Sequence, residues 1–146
     1  MKKIWTVLAL GAVLALAACG NNGSNGSING NWSAALMSQN NGAAVFDFTL
    51  SLTEMSGGGL SITNLNFTSG GNCFVGGATA TGGFSIGGNF NGQTSGSLQM
   101  NIQSNSGSNQ LTLQGTVNNN TVTGNWNLTG TTAGCTGQGT FTMNKG

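Results

Sequence analysis

The chain is 146 residues long, 3% of them charged, with no histidine and no proline, and more than half of it is glycine, asparagine, serine and threonine. Without clustered lysine or arginine such a surface has no means of gripping a phosphate backbone, which excludes nucleic-acid binding. Disorder is disfavoured as well, because unfolded segments are rich in charge and proline and poor in regularly spaced apolar residues. In chain order, the first element is a short basic start, Lys2-Lys3, followed by an apolar, helix-forming run from Ile4 to Ala18. A bilayer span needs about 20 apolar residues, and this run stops short of that at Cys19-Gly20. Residues 20–27 are glycine, asparagine and serine alone. They read as a flexible tether reaching about 15 Å.

The stretch Leu16-Ala17-Ala18-Cys19 resembles the bacterial lipobox: an aliphatic residue, two small residues and a cysteine, behind a positive n-region and an apolar h-region. The resemblance implies that residues 1–18 are a lipoprotein signal peptide removed by signal peptidase II. Cys19 then carries a diacylglyceryl group and acyl chains such as palmitate, so the membrane is a partner through this lipid. One acyl chain holds a protein marginally and two or more hold it firmly. Gly20 follows the cysteine, where many inner-membrane lipoproteins have aspartate; by the same resemblance the expected address is the outer membrane in a two-membrane cell. In a single-membrane cell it is the outer face of the plasma membrane. An ordinary secretory signal would leave an odd thiol among the three cysteines. Lipidation of Cys19 leaves Cys73 and Cys135 to pair as a disulfide, as suits an oxidising compartment.

From Ile28 onward the apolar residues recur with a period of two, the signature of a half-buried strand. Residues 28–146 are therefore expected to form one all-β domain of ordinary core size. Ile28, Trp32, Ala34 and Leu36 mark the first strand, and Phe46, Phe48, Leu50 and Leu52 share one face of a strand from Ala44 to Thr53. Leu60 and Ile62 open the third; the alternation slips at Thr63-Asn64 before Leu65 and Phe67, which predicts a β-bulge. A weakly patterned strand is read over Cys73 to Ala80, another through Phe84, Ile86 and Phe90. Leu98, Met100 and Ile102 follow, then Leu111, Leu113 and Val117, then Val122, Trp126 and Leu128, and finally Phe141 with Met143.

Asn41-Gly42, Gly57-Gly58-Gly59, Gly70-Gly71, Gly82-Gly83, Asn91-Gly92 and Asn118-Asn119-Asn120 read as the intervening turns. Separators this short leave no room for crossover helices, so the strands should run up and down as an antiparallel meander of about nine. A closed barrel is preferred over a two-sheet sandwich because closure removes edges that a nearly uncharged sheet cannot otherwise protect. Gly30-Asn31-Trp32, repeated as Gly124-Asn125-Trp126, resembles the Gly-x-Trp opening of lipocalin-like and avidin-like meander barrels. That resemblance implies a barrel that encloses a small ligand. The chain departs from it in lacking the lipocalins' late arginine and the tyrosine of avidin-type biotin sites.

Catalysis needs groups this chain does not have. Asp47 and Glu54, its only carboxylate side chains, stand seven residues apart. Along a strand that is roughly 23 Å and opposite faces, too far for cooperation. Serines without histidine or lysine partners stay unactivated, and two cysteines fall short of a zinc cage. No enzyme activity, metal or cofactor is expected. Trp32 and Trp126 are the candidates to line a ligand cavity or to fill the core. The inward-phase glycines Gly30, Gly88, Gly115 and Gly124 either let the sheet bend or leave room for a guest. The expected function is an anchored binding barrel for an apolar or weakly polar small molecule. The alternatives are a structural or surface-coat protein without a ligand, or a barrel inserted in the outer membrane. A curlin-like amyloid subunit shares the composition, but no regular stacking repeat is visible.

Overall fold

The computed structural model describes residues 28–86 and 95–146. Cys19, Gly20 and the tether lie outside the described residues, as do Gly88, Phe90 and Asn91-Gly92. The described residues hold eight strands: β1 (Gly30–Ser38), β2 (Ala44–Glu54), β3 (Gly59–Ser69), β4 (Ala78–Ile86), β5 (Ser95–Ser104), β6 (Asn109–Asn118), β7 (Thr121–Gly130) and β8 (Gly137–Lys145). Each pairs antiparallel with the next, and β8 returns to β1, so the expected meander closes into a barrel.

The period-two pattern settles which side chains go in. Phe46, Phe48, Leu50 and Leu52 of β2 are buried, as are Leu98, Met100 and Ile102 of β5, and between them stand residues that face water. Burying one such side chain is worth about 1.5–3 kcal/mol, so a one-residue slip of register would turn a whole strand's contribution to solvent.

The bulge expected at Thr63-Asn64 is present. Thr49 pairs with Asn66 and Ser51 with Thr63, which leaves Asn64 and Leu65 opposite Leu50 alone, and Asn64 takes a left-handed φ of 54°. The amide side chain of asparagine tolerates that region better than most. The hairpin at Asn41-Gly42 also forms, with Gly42 at φ 65° and its N–H donating to the Ser38 carbonyl.

Two expectations are corrected. The weak strand over Cys73 to Ala80 is not one strand: Gly71–Phe74 is a 3-10 turn and Ala78–Ala80 belong to β4, continuous with Phe84. Cys73 and Phe74 are buried side by side, which a strand with one face in water cannot do, and Gly76 and Gly77 at positive φ separate them from β4. Among the described residues the strands thereby number eight, close to the nine or so expected. Gly82-Gly83 is not a turn but lies inside β4, paired with Met100 and Gln99. A Cβ on Gly82 would sit 2.8 Å from the Gln99 carbonyl oxygen, so what this position needs is thinness.

Closure is uneven around the barrel. β4 and β5 pair through nine residues each, whereas β3 and β4 meet only at Gly59–Gly83 and Leu60–Gly82. Beyond that point the half-buried Ile62, Leu65 and Phe67 of β3 pack against the core, and the 3-10 turn contributes Phe74, stacked on Phe67 at 4.7 Å between ring centroids.

Candidate functional site

Both candidate tryptophans are core residues. Trp32 is 1% exposed and donates its indole N–H to the Ile28 carbonyl at 2.8 Å; Trp126 is 3% exposed and donates to the Met37 carbonyl at 2.9 Å. Each ring thereby buries its apolar body while its one polar group is satisfied by backbone. Phe46 meets Trp126 edge to face, with centroids 5.9 Å apart.

The glycines decide what the interior has left. Gly115 and Gly124 face each other across β6 and β7, and the Phe141 ring lies over them, 2.8 Å from where a Gly115 Cβ would stand. Gly137 and Gly139 play the same part for Trp126: a Cβ on Gly139 would come within 2.8 Å of the indole nitrogen. The room that small residues leave inside is taken by the protein's own aromatic rings.

Cys73 and Cys135 form the expected disulfide, Cα to Cα 5.6 Å across 62 residues of sequence. It ties the 3-10 turn to the loop between β7 and β8. Beside it lies a buried polar residue that the pattern alone did not single out. The Asn109 amide nitrogen donates to the Cys73 carbonyl at 2.7 Å and to the Thr132 hydroxyl at 3.1 Å, and its oxygen accepts from the Thr132 N–H. One amide thus holds both ends of the bridge from the barrel side. Asp47 accepts from the Ser69 hydroxyl at 2.8 Å on the outer wall of β2. Among the described residues no three metal-ligating side chains come together.

Outside, register aligns polar side chains into rows across the strands. Gln99, Gln114, Asn125 and Thr140 are successive partners through β5, β6, β7 and β8, and Asn101, Thr112, Asn127 and Gln138 make the adjacent row. A concavity of about 550 Å³ lies over these rows, with Gln39 at its β1 side. A second of about 240 Å³ continues it toward β4 and shares Thr112 and Gln114. The Gln138 side-chain amide donates to Gln39 Oε1 at 2.6 Å, and the Thr112 hydroxyl to the Asn127 backbone carbonyl. No charged side chain lines either concavity.

No protein family matches the chain, and no curated protein or solved structure shows significant similarity to it.

Proposed function

We propose that this protein is an exported lipoprotein, held at the outer membrane by the lipid on Cys19, and that it works without catalysis through the neutral outer wall of its barrel. One observation carries the reading: the interior is occupied by the chain's own rings, while ordered amides and hydroxyls cover the outside. Apolar-in and polar-out is the reverse of a membrane-spanning barrel, whose lipid-facing band must be apolar, and so favours a barrel standing in water on a lipid tether over one inserted in the bilayer. Architecture and the Gly30-Asn31-Trp32 opening support the likeness to lipocalin-like and avidin-like barrels, though not an internal ligand.

A second reading keeps the apolar small molecule and moves its entrance. The two-residue junction of β3 with β4, bordered by Ile62, Leu65 and Phe67, is where such a guest would part the wall.

Metabolic labelling with palmitate and fractionation of Cys19→Ser test the anchor. The wild type is expected to take the label and sediment with membranes, and the variant to do neither. A variant that still sediments, together with a wild type that never takes label, overturns the proposal.

A further inference from the structure

We infer that the outer groove across β5 to β8 is a binding site for an uncharged, hydroxyl-rich ligand, namely a neutral oligosaccharide chain. This rests on the outer wall being the working surface and names what it receives.

The groove's chemistry narrows the choice. Anionic ligands find no cation there, because Lys145, the one lysine of residues 28–146, lies at the far end of β8 from Gln138. For an apolar ligand there is no ring to cover, since Trp126 beneath the floor is 3% exposed. An incoming peptide strand would need free backbone groups, and on a sheet face those are already engaged in the β6–β7 and β7–β8 ladders. What remains is side-chain amide, which presents one acceptor and two donor hydrogens in a plane and so can accept from one hydroxyl of a sugar while donating to its neighbour.

Several of these amides have capacity to spare. No hydrogen bond of the described residues uses the side chains of Gln114, Asn125 or Asn127, and the Gln138–Gln39 bond at 2.6 Å fixes two more while leaving each a further group to offer. Asn101 adds an independent sign. Its Oδ1, on the groove's β5 side, is shielded from solvent and has no hydrogen-bond partner. A buried acceptor left unmatched is costly, and a rotation of the Asn101 amide that turns Oδ1 out into the groove would let a ligand hydroxyl satisfy it. Amides on successive strands repeat about every 4.8 Å, which suits a chain of rings lying across the strands.

The test is saturation-transfer NMR and affinity titration on the full-length protein in neutral detergent micelles, using cellohexaose and, as its carboxylated counterpart, hexagalacturonate. Cellohexaose is expected to bind in fast exchange with an affinity insensitive to salt, since no ion pair is involved. Gln114→Val with Asn125→Val should weaken it about tenfold, the loss of two hydrogen-bonding side chains. Asn66→Val, on the opposite wall in β3, should leave it unchanged, and circular dichroism of each variant reports that the barrel is intact. Failure of cellohexaose to bind the wild type overturns the inference, as does equal binding of the carboxylated chain. So does self-association of the protein that the groove variants abolish, because the occupant would then be a second copy. None of these outcomes touches the anchor, which palmitate labelling reads separately.

Discussion

Replacing Cys73 and Cys135 together by alanine is expected to lower the unfolding free energy by about 4 kcal/mol, from the entropy of closing a 62-residue loop in the unfolded chain. Against a total of about 5–15 kcal/mol for a single domain, that is a large share. Position adds to length. The bridge holds the 3-10 turn that brings Phe74 against Phe67 and Phe46 where β3 and β4 diverge, so losing it frees the part of the wall with the fewest ladder bonds. Urea unfolding should show the midpoint falling by about 2 M, with wild type under reductant behaving like the double variant. A fall equivalent to less than about 1 kcal/mol would mean that the turn is held by Asn109 and packing alone.

The second large effect comes from a single methyl group. Gly124→Ala would place a Cβ against the Gln114 carbonyl oxygen and the Gly115 Cα across the β6–β7 ladder, both backbone atoms that cannot rotate away. The two strands must part to admit it. Overpacking of this kind costs about 1–3 kcal/mol where side chains can yield, so the upper end or more is expected here. Gly137→Ala is the matched control. Its Cβ would meet only the outer edge of the Trp126 ring, at 3.2 Å, and a few tenths of an ångström of ring movement accommodates it. Thermal unfolding of the two variants should therefore differ widely, and equal midpoints would contradict the close approach of β6 and β7.

Much of this architecture was legible because period two is a local property. The alternation of Phe46 through Leu52 told which face is inward, the slip at Thr63-Asn64 told where the strand bulges, and Asn41-Gly42 told where it turns. Gly82-Gly83 misled for a physical reason. Glycine serves both to adopt positive φ and to let strands approach, and only the neighbour across the ladder, here Gln99, distinguishes the two uses. Cys73-Phe74 misled because a short 3-10 turn has no periodicity long enough to read.

The candidate site was less legible than the fold. Periodicity placed Trp32 and Trp126 inward but not whether the space around them was filled; that depended on Gly137 and Gly139, two strand positions whose partners lie on β7 and β1. The outer rows were hidden for a similar reason. Gln99, Gln114 and Asn125 are unremarked polar residues in sequence, and they become neighbours only through the registers of successive hairpins.

The barrel is proposed to be filled from within and to act through its outside. Native mass spectrometry of the full-length protein, released from micelles after incubation with palmitate, retinol and a porphyrin, tests that proposal most directly, with tryptophan emission followed in parallel. The unliganded mass is expected throughout, with an emission that stays blue and unquenched, since Trp32 and Trp126 are buried with their indole N–H groups on backbone acceptors and Phe46 lies edge-on to Trp126. A stoichiometric adduct with quenching of that emission would put the guest inside and contradict it.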